Sequence, residues 1–517
     1  MVKGAARYAR FQSTLPQRAA WEESIIDYLA GIDLGTSGAK ISATSTDGTK
    51  TFGLTAPYRL VSRFSGWAEQ DPHEWWEAVC GGLRRLLSEH DLCGSRVRAV
   101  GFSGQMHGLV LLDENMEVIC PAILHCDTRA GEERAAVSRQ ELLDWGILNQ
   151  AFSGFQMTSL LWLKKHCPQE YRRIRHVLSP KDYLRFRLTG ELGTEWTDAS
   201  ATLLFDVVHR CWSAPMLERI GLDPSVLCEV HGPCECAGTV TSQAALETGL
   251  TQGTPVSFGG ADQPMQALGN GVLEPGEMTC TIGSGGQLFL SCGKPVVNPA
   301  LNTHTFCNVQ SEGWYQLGAM LTAGTAFQYL ANLFYLGESF DVINREVESV
   351  LMQESQLVFL PYLNGERSPH MNEKLRGLLF GISLDHTRAH FMRAAMEGIC
   401  FAMRDMLAVF DSLGAPQGRI VASGGYTRSP VWLQMMATVL GRELTLTENR
   451  LYQASTGAAM TAGVCCGVFD SLSQAVSLCV RPGSGSVLPD ASRKSFYDKQ
   501  YERFHSVFAQ TYGEAGK

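Results

Sequence analysis

The sequence has no apolar run near the roughly 18 residues that cross a bilayer, and no hydrophobic stretch follows its basic first residues. Neither a membrane span nor a secretory signal is expected, and the chain is read as cytoplasmic. Blocks of like charge are missing too: 43 Lys and Arg against 52 Asp and Glu leave a net charge of -9 spread along the chain. Nucleic acid needs clustered Lys and Arg, so it is not an expected partner, and an anionic ligand would need a local binding device. The sixteen cysteines contain no C-x-x-C pair; only Cys234/Cys236 and Cys465/Cys466 stand close, so they are read as reduced thiols rather than metal ligands. No low-complexity linker divides the chain.

At 517 residues with 45% apolar composition, two domains are expected. Residues 1–26 carry Lys3, Arg7, Arg10 and Arg18 with no acid before Glu22 and no apolar period. They read as a disordered extension, with a mitochondrial presequence as the alternative. Beyond them, "AGIDLGTSGAKISATSTDG" reads as a hairpin around a glycine-rich turn. The pattern returns in "EMTCTIGSGGQLFLS", which predicts a diverged duplication: a first domain over 27–272, a second over 273–505 and a tail over 506–517. Between the hairpins, Asp71 caps a predicted helix to Leu87 that buries Trp76, Val79, Leu83 and Leu86. Another is expected from Thr387 to Leu413, with Met392, Ala395, Ile399, Met403, Met406 and Phe410 inward and Gly414 as its stop. Strands alternating with helices make the fold class α/β.

Six segments could carry chemistry. In "GIDLGTSGAK", Asp33 enters a turn of Gly35, Thr36, Ser37 and Gly38, and Lys40 returns on the next strand. Small residues there let backbone N–H groups face an anion, although the spacing fits neither a Walker loop nor a Rossmann turn. With Gly283 to Gly286 in the second half, two such hairpins could grip one polyphosphate, and Asp33 would hold Mg²⁺ through hard oxygen ligands. A tight structural hairpin explains either segment alone. In "ASGGYTRSPVW", Gly424 and Gly425 precede a helix starting at Ser429 and Pro430, where a flat ring could lie; Gly457, Ala458 and Ala459 open a small-residue helix that could pack behind a purine. "FSGQMHG" places Gln105, Met106 and His107 at a strand end, and "FGGADQ" delivers Asp262 and Gln263 at the junction of the halves. A carboxylate there suits a base that closure assembles, or else merely an N-cap.

"GIDLGTSGAK", "SGQMHG", "GGADQ", "GSGG", "GLLFGISLDHTRAHFMRAAMEG" and "SGGYTRSPVW" stand in the order and spacing of the FGGY carbohydrate kinases, a family this chain resembles from residue 28 to about 505. Within it, "SGWAEQDPHEWWEAV", "PKDYLRFRLTGE", "HTFCNV" and "FLPYLNGERSPH" are most similar to the branch acting on xylulose. The resemblance implies two actin-like, ribonuclease-H-like ATPase domains with ATP, Mg²⁺ and sugar in the cleft between them. It implies Asp262 as catalytic base and Gln105, Met106, His107 and Gln263 on the sugar. Gly35, Thr36, Ser37, Lys40, Gly283, Ser284, Gly324, Gly424, Gly425 and Ser429 would serve the nucleotide, and Asp33 with Asp262 the metal. The chain departs from the family pattern at Ser159, where lysine is usual, at Gln263, where asparagine is frequent, and in lacking an acid before the terminal "GAA". The implied reaction is phosphorylation of a ketopentose, D-xylulose first. Another FGGY kinase acting on ribulose, sedoheptulose or a deoxysugar, or a silent actin-like nucleotide or sugar sensor, is the alternative. Assembly as a homodimer is left open.

Overall fold

The computed structural model describes residues 26–416, 418–448 and 451–513. The expected extension lies outside these residues apart from Ile26. Both glycine turns are hairpins. Tyr28–Leu34 and Gly38–Ser45 pair antiparallel with Asp33 opposite Lys40, Thr51–Pro57 extends the ribbon, and Val97–Gly104 lies parallel on the other side of the first strand. The second half repeats this order. Met278–Ile282 and Gly286–Cys292 form the hairpin, Trp314–Met320 follows, and Ile420–Gly424 runs parallel to the first strand. Beyond it each sheet adds a further parallel strand, Pro255–Ser257 in one and Leu444–Thr447 in the other. The duplication read from two glycine turns is thus a duplication of sheet order, the actin-like, ribonuclease-H-like arrangement expected. Tyr28–Leu34 is buried at all seven positions, as a strand covered by helices on both faces must be.

The helices follow their caps. The Asp71 carboxylate accepts from the His73 N–H at 2.9 Å and opens Pro72–Glu89, which buries the four expected residues and Trp75. Each such side chain contributes about 1.5–3 kcal/mol by leaving water. Arg388–Ser412 starts behind Thr387 and buries all six expected residues before Gly414 ends it at φ 74°. The last helix, Ala491–Tyr512, runs on past residue 505 and buries Val507 and Phe508.

One helix does not do what the sequence suggests. Gln453–Cys465, which carries Gly457, Ala458 and Ala459, packs on Tyr28–Leu34 and Val97–Gly104 and on helix Asp262–Gly269. It therefore belongs to the face of the first sheet rather than to a purine site. The contact is backbone on backbone: a Cβ at Gly31 would sit 1.7 Å from the Ser455 carbonyl oxygen, and one at Gly457 2.1 Å from that of Met265. Small residues are required there because nothing larger fits.

Candidate active site

A polar cavity of about 250 Å³ opens between the two sheets. From the first half it is lined by Thr36, Met106, His107, His125, Asp262 and Gln263; from the second, Ser284, Gly285, Gln287 and Arg367 face them. Thus six residues singled out in the sequence, Thr36, Met106, His107, Asp262, Gln263 and Ser284, meet in one place. A larger cavity of about 600 Å³, bounded by Trp196, Pro233, Pro275 and Leu472, holds none of them.

Asp262 is the first residue of helix Asp262–Gly269, one position inside its N-cap, Ala261. Burial, and then the nearby Asp33 carboxylate, push its pKa up to about 7, against hydrogen bonds from Gln263 and the charge of Lys40. A carboxyl poised near neutrality is a better base than a solvated aspartate. Asp33, next to last in the first strand, accepts from the Ser103 hydroxyl at 2.8 Å; burial raises its pKa and Lys40 opposes the rise. Two close carboxylates offering only oxygen fit a hard cation such as Mg²⁺. No group of three or more His, Cys, Asp or Glu among the described residues could hold a metal, so phosphate and water would have to complete its coordination.

His107 sits at φ 70°, with its ring 3.9 Å from that of Phe155. Its Nδ1 lies 2.7 Å from the Ala201 carbonyl oxygen, which can only accept, so Nδ1 carries the proton and Nε2 keeps a lone pair. Burial first, and then Arg367, hold its pKa well below the usual value, so the ring is neutral. Met106 takes a hydrogen bond on sulfur from the Tyr315 hydroxyl at 3.7 Å.

The other candidates divide. Gly283, Gly324 and Gly424 converge at the end of strand Met278–Ile282. The Gly324 N–H donates to the Gly283 carbonyl at 3.1 Å, and a Cβ at Gly424, where φ is 90°, would meet the Ile282 carbonyl oxygen at 2.2 Å. Nothing among the described residues lies within 4 Å of a Cβ built at Gly283 or Gly425, so this shelf is open. Gly35, Ser37 and Lys40 flank the first turn but do not line the cavity, and Ser37 and Lys40 are exposed. Two expectations are corrected. Ser429 is fully buried, caps helix Pro430–Leu440 through the Trp432 N–H and donates to Asn344 at 2.7 Å, so its hydroxyl serves the fold. The Gln105 amide does not face the cavity: it donates to Gln70 at 3.2 Å and accepts from the Thr36 hydroxyl at 3.4 Å, acting on the site through Thr36. Ser159 is buried on helix Gln156–His166, away from the cavity.

Sequence reasoning missed the support under Asp262. Lys181, with its side chain fully buried, pairs with Asp182 at 2.7 Å and with Glu195 and Asp198 at 3.2 Å. Glu195 accepts from the Thr197 hydroxyl at 2.8 Å, and the Thr197 oxygen accepts from the Ala261 N–H, also at 2.8 Å. The peptide preceding the base is thereby tied to a buried ion cluster. The signal was a Lys-Asp pair in the first turn of a predicted helix in "PKDYLRFRL". Thr197→Val strands the Ala261 N–H at a cost of about 1–3 kcal/mol. The expected result is a kcat roughly tenfold lower with an unchanged KM for ATP, and Thr197→Ser near wild type. Steady-state kinetics on both variants, with melting curves, test this; an unchanged kcat in Thr197→Val removes the support from catalysis.

Sheet order and cavity together define a two-domain phosphotransferase of the actin-like class. The N-terminal domain of the FGGY family of carbohydrate kinases matches residues 28–269 and its C-terminal domain matches residues 278–466, and the chain belongs to that family. The chain is 32% identical over 487 residues to the xylulose kinase of Bacillus subtilis (strain 168), covering 94% of this chain and 97% of that one. It is also 32% identical over 484 residues to the xylulose kinase of Escherichia coli (strain K12), covering 93% and 98%. Among solved structures, a xylulose kinase from Brucella ovis superposes with a TM-score of 0.86 at 31% identity, covering 94% of this chain and 99% of that one. A Plasmodium falciparum glycerol kinase with ADP, 21% identical and covering 94% and 98%, shares the fold with a TM-score of 0.82.

Proposed function

We propose that this kinase transfers the γ-phosphoryl group of ATP to the terminal O5 of D-xylulose, with Asp262 as base. The observation that carries the reading is a cavity between the halves in which a buried carboxyl of raised pKa faces Gln263 and a neutral His107. The names of its relatives, at 32% identity over more than nine-tenths of the chain, support xylulose as the sugar. The substrate hydroxyl donates to Asp262, which takes the proton late, as a loose phosphoryl-transfer transition state allows. His107 Nε2 accepts from a second sugar hydroxyl. The glycine shelf at Gly283, Gly324 and Gly424 presents backbone to the nucleotide, and Gly35 to Lys40 face it from the other half. Asp33 and Asp262 would hold Mg²⁺, which when bound neutralises phosphate charge. The units 27–272 and 273–505, the latter without helix Gln453–Cys465, which stays on the first sheet, close over the substrates and exclude water. No helix among the described residues is long and apolar enough to cross a membrane, and a cytoplasmic location goes with this reading.

Recognition by hydroxyl-specific hydrogen bonds rejects misplaced hydroxyls, because the site's own polar groups are left unpaired. Measuring kcat/KM side by side for D-xylulose, D-ribulose, L-xylulose, L-ribulose and sedoheptulose is therefore decisive. D-Xylulose is expected to lead; if it trails another sugar by tenfold or more, in about the range of one lost hydrogen bond to a charged group, the xylulose assignment fails and the kinase assignment stands.

A further inference from the structure

Arg367 is a buried cation with no ion pair among the described residues. Its side chain lines the cavity and is 9% exposed. One guanidinium N–H donates to the His125 carbonyl at 3.2 Å, and the Nε–H has no hydrogen-bond partner among the described residues. Its neighbours do not neutralise it. Phe152 and Phe155 stand 5.2 and 5.8 Å away as ring faces. His107, His125 and His304 are all held neutral by burial and by Arg367 itself. The adjacent Glu366 points elsewhere, accepting from the Leu321 and Arg367 backbone N–H groups, and burial pushes its pKa up to about 8. Glu373 is paired with Arg134 at 2.7 Å.

A buried charge without a counter-charge is costly, and a ligand that supplies one recovers that cost. A guanidinium also offers a planar fork of donors, suited to two oxygens on one carbon. We propose that Arg367 binds the end of the sugar remote from the phosphorylated hydroxyl, and that the cavity accordingly takes five-carbon aldonates, with their carboxylate on Arg367, as ligands competitive with the ketose. In a ketose the same donors meet the carbonyl oxygen and the neighbouring hydroxyl. In an aldonate they meet a full negative charge. The inference rests on the sugar-site reading above and adds to it a ligand class and the residue that selects it.

Calorimetry on the full chain with D-xylonate and with xylitol, which has the same length but no charge, tests it. The expected result is xylonate at least about tenfold tighter than xylitol, as for one charge-assisted hydrogen bond. Xylonate should also inhibit competitively against the ketose. Arg367→Gln should abolish the preference and lower kcat/KM for the ketose while leaving ADP binding intact; Arg367→Lys, which keeps the charge but not the fork, should retain part of it. Xylonate no tighter than xylitol in the wild-type protein overturns the proposal without recourse to any variant, as does a preference surviving in Arg367→Gln. If D-xylulose is not phosphorylated but xylonate binding follows Arg367, the substrate reading falls and this one stands. Turnover of D-xylulose with no xylonate preference gives the reverse.

Discussion

Asp262→Asn is expected to lower kcat at least about a hundredfold while the protein remains folded, the lower end for a lost general base. The pKa of about 7 gives this a pH signature: in the wild type, kcat/KM should rise with pH through that value as the carboxyl ionises, and the residual activity of the variant should not. Stability moves the opposite way. The folded-state pKa lies above the usual 3.8, so between those two values the native state holds a proton that the unfolded chain has released. Stability therefore falls as pH rises from about 4 to about 7 and then levels off. Asparagine removes this dependence, and the variant should melt no lower than the wild type at pH 8. Denaturation at several pH values and a pH-rate profile check both halves. Turnover within tenfold of wild type in a folded variant would take Asp262 out of the mechanism.

Gly283→Val should weaken the use of ATP without unfolding the chain. A Cβ at Gly283 meets nothing within 4 Å among the described residues, so the side chain fits the free protein and stability should change by no more than about 0.5 kcal/mol. The added methyls then occupy the shelf where phosphate must approach backbone, and KM for ATP should rise by at least about tenfold, the cost of one charge-assisted hydrogen bond. Gly324→Ala is the informative contrast, since its Cβ would lie 2.2 Å from the Gly283 carbonyl oxygen and must distort the turn. Melting curves with ADP titrations separate the two. A folded Gly283→Val that binds Mg-ATP normally assigns the turn to the scaffold.

The sequence made legible whatever repeats or is capped. Two glycine turns between apolar runs gave the paired hairpins, and Asp71 and Thr387 gave two helix starts, because these are local signals. Asp262 and His107 were visible as polar residues at the ends of buried strands. The Lys181 cluster and Arg367 were not. Lys181 meets Glu195 and Asp198 at 14 and 17 residues' separation, and Arg367 meets His125 across 242, so their partners are set by tertiary packing and no period announces them. Helix Gln453–Cys465 misled for a related reason: small residues report that something approaches closely, not whether it is a base or a backbone. Ser429 was over-read, since a hydroxyl before a proline-led helix is first of all a cap.

That helix also has a bearing on how the protein comes to exist. Ala458, Ala459, Met460 and Ala462 fill one apolar cluster with Leu29, Ala99, Met265 and Leu268, so the first sheet lacks part of its cover until residues far downstream have been made. On the ribosome, the leading half emerges with that face bare and must wait for the trailing half to close it, a stage at which nascent chains are prone to aggregate. Cutting the gene between the two halves would accordingly yield an incomplete first piece, restored only when a segment carrying 453–465 is supplied alongside.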